Sequence, residues 1–315
     1  MKQMTYTHLL NETINIYDKN GSLQAYQFIN ENADMVDGNQ AQIYNFRYAL
    51  AAASGLEKDA LQLMKEAIIE NGFWYAYDYL NADEDLKSLH KYEEFHKMVH
   101  ICKEREAEAK DSAKPELRIL QDNSGNDDKK PLMFALHGDQ ENIHMTEPYW
   151  NSIVTEGYTV ALPQSSQIQF SDGFDWNDVE KGSNELKEHF ESIVNDYKID
   201  RDNIIIGGFS AGCRVALNII INGKIPAKGF VFVAPWLPEI EEWKESLDQL
   251  KENDIKGYII IGDNDGDCFE GANQFASFLN QKSIPHEFKV VDDLDHEYPE
   301  NFDQLLKEAV DYINE

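Results

Sequence analysis

No stretch of the 315-residue sequence reaches the roughly 20 consecutive apolar residues that a membrane span requires. The longest apolar stretch, around position 210, is interrupted by glycines and by Arg214. The opening MKQMTYTHLLNETINIYDKNG has neither an apolar central segment nor a small-residue cleavage site, so no secretory signal is expected. Cysteine is scarce. Cys102, Cys213 and Cys268 are odd in number, far apart, and set in a chain too long to need disulfide staples. That usage points to a reducing compartment and a cytoplasmic protein. Positive charge is short as well: 28 basic against 58 acidic side chains leave a formal net charge of −30. Such a surface repels phosphates and anionic lipid, which argues against nucleic acid and membranes as partners. Its plain meaning is solubility.

What is present is apolar material, 42% of residues, enough for a sizeable core and too much for wholesale disorder. The length suits one large or two smaller domains. Up to about residue 110 the chain reads as helix after helix, with apolar residues at three- and four-residue spacing in SLQAYQFINENAD, IYNFRYALAAASG and DALQLMKEAIIENG. Gly21, Gly38, Gly55 and Gly72 punctuate these segments every seventeen residues, as antiparallel helix pairs with short turns would require. The unit YNFRYALAAASGLEKDALQLMKEAIIENGFW carries small residues at Ala49, Ala52, Ala60 and Ala67, where paired helices approach closely. It resembles a tetratricopeptide repeat, and ADEDLKSLHKYEEF resembles the ending that often follows such repeats. An ordinary helical bundle is the alternative. The charged run KEREAEAKDSAK before Pro115 marks the boundary, giving an all-α domain over 1–110 and a second domain over 111–315.

Beyond Pro115 the period changes. Short apolar runs (LRIL, PLMFALHG, GYTVALP, NIIIGG, KGFVFVAP, GYIIIGD and HEFKVVDD) alternate with helical segments such as AGCRVALNIII and CFEGANQFASFLNQK. Strands that are apolar on consecutive residues and separated by helices predict an α/β domain with a mostly parallel sheet covered on both faces. QDNSGNDDKK, between the first two strands, reads as a hairpin loop with an antiparallel strand at the start. In such a sheet, chemistry gathers at the carboxyl ends of the strands.

Four stretches fall at those ends. Gly208-Phe209-Ser210-Ala211-Gly212 is a G-x-S-x-G set directly between strand and helix, the context in which the serine is a nucleophile on a sharp turn. A structural glycine turn is the rival reading. The helix that begins at Ala211 also aims backbone N–H groups at a developing oxyanion. His137-Gly138 ends an earlier strand, and its histidine reads as a brace for the loop. GDNDGDC offers three aspartates, Asp263, Asp265 and Asp267. A calcium loop is excluded there, because Cys268 stands at the glycine position and Gln274 at the closing glutamate. His296, in DDLDHEYPENF, follows the last strand; the rival His286 opens that strand, at the wrong end of the sheet. The order serine, acid, histidine is that of one known triad lineage.

These stretches, with ALPQSSQ and DWNDVEKG, resemble the α/β-hydrolases from about residue 115 onward, specifically the carboxylesterase and dienelactone-hydrolase-like group. The resemblance implies a triad of Ser210, Asp265 and His296, with Asp265 chosen by its G-x-x-D spacing from Gly262 and Asp263 in reserve. It implies an oxyanion hole from the backbone N–H groups of Ala211 and Asp139, with Gln140 as the second choice. It places Gln140, Gln164, Ser165 and Trp176 near the substrate. Cys213 departs from the glycine that relatives commonly carry. The activity implied is hydrolysis of small-molecule carboxylic esters through an acyl-enzyme, without metal or organic cofactor. A serine peptidase or a thioesterase on the same fold are the enzymatic alternatives. The non-enzymatic alternative is an interaction protein that holds a protein partner, or a second copy of itself, through residues 1–110.

Overall fold

The structure, a computed structural model, describes residues 4–122 and 128–315. The chain divides into two compact units, Met1–Ala113 with Gln167–Phe174, and Lys114–Ser166 with Asp175–Glu315.

The first unit is helical: α1 (Tyr6–Asn20), α2 (Ser22–Asn32), α3 (Gln40–Ala53), α4 (Glu57–Lys65), α5 (Tyr77–Ala82) and α6 (Glu93–Ser112). Its boundaries are written locally. Thr5 caps α1 by accepting from the His8 N–H at 3.1 Å, and Asn39 caps α3 by accepting from Gln42 N–H at 3.2 Å. Gly21, Gly55 and Gly72 turn the chain at positive φ, whereas Gly38 lies against the Tyr6 ring. Helices pack in sequence order, α1 on α2, α2 on α3 and α3 on α4, an arrangement that helical repeats and simple bundles share. A small two-stranded sheet, β4 (Gln167–Phe170) with β5 (Gly173–Asp175), leaves the run of the second unit and is held here. Ser171 exchanges backbone and side-chain hydrogen bonds with Trp74, and Phe170 stacks on Tyr75. The sequence pattern did not separate this excursion from its surroundings.

The second unit runs β1 (Glu116–Leu120), β2 (Lys130–Leu136), α7 (Ile143–Trp150), β3 (Thr159–Gln164), α8 (Val179–Asp196), β6 (Ile199–Phe209), α9 (Ala211–Ile221) and β7 (Gly229–Val233). It continues through the short helices α10 (Ile240–Trp243) and α11 (Asp248–Glu252) to β8 (Lys256–Gly262), α12 (Phe269–Lys282), β9 (His286–Val291) and α13 (Phe302–Asn314). The order across its sheet is β1-β3-β2-β6-β7-β8-β9. Only β1 is antiparallel, so this is an α/β-hydrolase sheet with helices on both faces.

The hairpin expected between β1 and β2 is a misreading: β1 pairs with β3, Glu116 opposite Gln164, and not with β2. Local loop composition signalled a turn but carried no information about which strand the edge would meet. Residues 123–127 of that loop lie outside those described.

Alternation along β2 sends Leu132, Phe134 and Leu136 to a core shared with α8, α9 and α12, and Met133 and Ala135 to a second core under α7 and α13. The chain leaves β2 toward β3 on one side and returns to β6 on the other. That reversal places the crevice outside the carboxyl ends of β2 and β6, where His137 and Ser210 stand.

Candidate active site

Ser210 sits between β6 and α9 at φ 50 and ψ −119, a conformation that L-residues adopt at a cost of about 1–3 kcal/mol. The turn is over-determined by its neighbours. Ser210 N–H donates to Val233 O at 3.0 Å, and Ser210 O accepts from Trp236 N–H at 3.2 Å and Cys213 N–H at 3.0 Å. The motif's second glycine is a packing requirement: a Cβ on Gly212 would stand 2.5 Å from His137 O, in the backbone leaving β2. Cys213 is fully buried behind the turn, its thiol donating to Gly208 O at 3.1 Å.

Two further loops meet the serine. His296 Nε2 lies 3.0 Å from Ser210 Oγ, and its Nδ1 lies 2.7 Å from Asp265 Oδ2. A carboxylate only accepts, so Nδ1 carries the proton and Nε2 is left to accept from the serine hydroxyl. Asp265 is 1% exposed and takes the Cys268 N–H on Oδ1 at 3.0 Å, whereas Asp263 and Asp267 are exposed. The acid and histidine loops are laced together by Asp263 N–H to Val291 O at 3.1 Å and Asn264 N–H to Leu294 O at 3.0 Å. Gly262 permits that approach, since a Cβ there would meet Leu294 O at 2.0 Å. Behind His296 stands Phe209, ring centroids 4.9 Å apart, and Phe209 stacks on Tyr298 at 4.6 Å. Tyr298 in turn stacks on Tyr149 and accepts from Trp150 Nε1 at 3.0 Å. His286, the rival histidine, starts β9 with Nδ1 on Ile284 O.

The loop after β2 is braced from below. His137 is fully buried, and burial pushes its pKa down to about 4, so it is neutral. Its Nε2 accepts from Ser165 N–H at 3.2 Å, which leaves Nδ1–H to donate to Gly138 O at 2.7 Å. Trp176 stacks on the His137 ring and donates Nε1–H to His137 O at 2.9 Å. Gln164 accepts from Ile143 N–H at 3.2 Å. Trp176, Gln164 and Ser165, expected beside the substrate, are buried and hydrogen-bonded to His137 O, Ile143 N–H and His137 Nε2. Gln140 is partly exposed and carries positive φ at the loop's tip. Asp139 is open to solvent at the same tip. As the first residue of α9, Ala211 has an N–H without an intrahelical acceptor.

Two residues here were missed in the sequence. Glu141 is buried and accepts from Gly138 N–H at 2.8 Å. Burial pushes its carboxyl up to about 7, opposed by that N–H and by the nearby His296. Burial works against a charged His296, but the hydrogen bond and charge of Asp265, with Glu141 and Asp267 behind them, more than offset it, and the imidazole titrates above its ordinary value. Trp236 follows β7 with its backbone tied to Ser210 and its ring under the Arg214 guanidinium, which Glu239 pairs. The signal for Trp236 was its place at a strand's carboxyl end. Nothing in the one-dimensional pattern marked Glu141, whose burial depends on the loop's fold.

A strained serine between strand and helix thus lies in hydrogen-bonding reach of a histidine that an aspartate holds. Residues 141–314 match the phospholipase/carboxylesterase family and residues 5–110 match the A/B hydrolase-like N-terminal domain. The chain belongs to the phospholipase/carboxylesterase family, a hydrolase of the esterase type. Among solved structures, an uncharacterised protein from Bacillus cereus is 55% identical over 99% of this chain and 100% of its own, with a TM-score of 0.58. The esterase PE8 is 16% identical over 62% of this chain and 99% of its own, with a TM-score of 0.52, a likeness of fold. Among curated proteins none is matched. No helix among the described residues is long and apolar enough to cross a membrane.

Proposed function

We propose that the protein is a serine hydrolase that cleaves small-molecule carboxylic esters by two-step acyl transfer, with residues 111–315 as the catalytic portion. The observation that carries this reading is the continuous relay from Ser210 Oγ through His296 to Asp265, at 3.0 and 2.7 Å. Ser210 attacks the ester carbonyl while Nε2 of His296 takes its proton, and Asp265 holds the imidazole in that tautomer. The N–H groups of Ala211 and of Asp139 stabilise the oxyanion, each donor contributing about 3 kcal/mol in the transition state. The protonated imidazole then gives its proton to the leaving alcohol, and a water activated by His296 releases the acid and restores the serine. His137, Trp176, Gln164 and Ser165 hold the oxyanion loop in place, and Gln140 stands at the rim that meets the substrate. No metal or organic cofactor takes part in these steps. A reducing, cytoplasmic setting belongs to the same reading, with all three cysteines free and buried.

The reading is tested with a panel of short p-nitrophenyl esters, thioesters and peptides, together with a serine-directed fluorophosphonate probe. Turnover of the esters and labelling of Ser210 are expected. Labelling elsewhere, or turnover of peptides alone, rejects it.

The pH dependence follows from the sign of the His296 shift. The base works only when neutral, and its pKa is raised, so kcat/KM should fall as pH drops through a value above the ordinary histidine figure of about 6.5. Glu141 contributes to that rise through its negative charge. Glu141→Gln should therefore move the acidic limb of kcat/KM to lower pH. An unmoved limb, or one displaced upward, means that Glu141 does not act on His296 electrostatically.

A further inference from the structure

We propose that Cys268, Asp265 and His296 form an inhibitory site for a divalent metal ion of the zinc class. One ligand atom from each of these residues lies within 4.8 Å of the other two. Cys268 is 3% exposed and stands just before α12, with its N–H on Asp265 Oδ1 at 3.0 Å. His296 approaches the same carboxylate from the other side, and 29% of its side chain remains open as a route of entry. Three donors of different softness thus already lie close to one another.

The chemistry selects the ion. Thiolate, imidazole and carboxylate together are a zinc donor set, while a sulfur ligand disfavours magnesium and calcium, which prefer oxygen. A thiolate and a carboxylate neutralise two positive charges, so a divalent ion leaves this buried pocket uncharged, which limits the desolvation cost. The proton balance explains inhibition. The thiol proton leaves to solvent as the sulfur–metal bond forms. The proton on Nδ1 of His296 is displaced by the metal and returns on Nε2. With Nε2 protonated, the imidazole no longer accepts from Ser210 Oγ, so the relay is broken even if the ring stays in place.

Metal binding stands apart from the hydrolytic reading, whereas inhibition rests on it, and the two are read separately. Co2+ is titrated into the full chain and followed by its sulfur-to-cobalt charge-transfer absorption. The band should appear in the wild type and in Ser210→Ala, which loses no ligand, and vanish in Cys268→Ala and Cys268→Ser. Absence of the band in the wild type, or its persistence in the folded Cys268 variants, where only the buried Cys102 and Cys213 remain, overturns the site. If Cys268→Ala does not fold, Cys268→Ser decides. In the second arm, the Zn2+ concentration that halves ester turnover should rise at least about tenfold in Cys268→Ser once the thiolate ligand is gone. An unchanged concentration overturns the inhibitory role. A wild type that binds Co2+ yet turns over no ester rejects the hydrolytic reading and leaves the metal site standing.

Discussion

Ester turnover by Ser210→Ala is expected to fall by about six orders of magnitude in kcat, with the fluorophosphonate label lost. The size of the loss comes from the way the relay works as a unit. Without Oγ there is no acyl-enzyme, and neither His296 nor Asp265 has anything to activate. What remains is binding and the oxyanion donors, worth about 10³–10⁴ over water. The substitution should leave the fold intact. Ser210 makes its turn through backbone bonds to Val233, Trp236 and Cys213, which alanine keeps. Comparing urea midpoints of the two chains checks this, and an unchanged slope would show the same compact state. Activity that survives in a folded Ser210→Ala chain removes the serine mechanism altogether.

Asp265→Asn should lower kcat by about 10⁴. The side chain keeps its shape, but the amide can donate to Nδ1 where the carboxylate only accepted. That favours the imidazole with its proton on Nε2, facing Ser210 and unable to take the hydroxyl proton. The buried carboxylate also stabilises the imidazolium formed during attack, which a neutral amide does not do. Asp263→Asn and Asp267→Asn serve as controls. Both residues are exposed, and the Asp263 contact to Val291 runs through the backbone. Their turnover should stay close to the wild type. A damaging Asp263→Asn beside a mild Asp265→Asn would reassign the acid.

Much of this molecule is written in local pattern. The switch from three- and four-residue spacing to short apolar runs separates helices from buried strands, because each period matches the face that an element must cover. Helix α9 begins where AGCRVALNIII begins, and G-x-S-x-G lies where β6 ends. The serine, the three-aspartate loop and the late histidine were legible because functional loops in such a sheet follow strands in a fixed chain order. The hairpin between β1 and β2 was not, since strand partners are chosen by long-range packing and the edge strand joined β3. The excursion at Gln167–Phe174 was missed for the same reason: its burial depends on Trp74 and Tyr75, nearly a hundred residues earlier.

By itself the sequence determined the main helices, the strands of the large sheet and the residue types that stand at the strand ends, because propensity, period and turn chemistry act over a few neighbours. Tertiary structure brings Asp265, the acid that the resemblance favoured over Asp263, within 2.7 Å of His296, with Ser210 3.0 Å from the same ring. It also decided that Trp176, Gln164 and Ser165 brace a loop, that Glu141 is buried beside the histidine, and that a thiol shares the acid's pocket. Distances of this kind depend on two loops from different strands being tied by backbone hydrogen bonds, and on a glycine at 262 letting them close. No local pattern encodes that closure, because its partners lie some thirty residues apart and meet only when the sheet has formed.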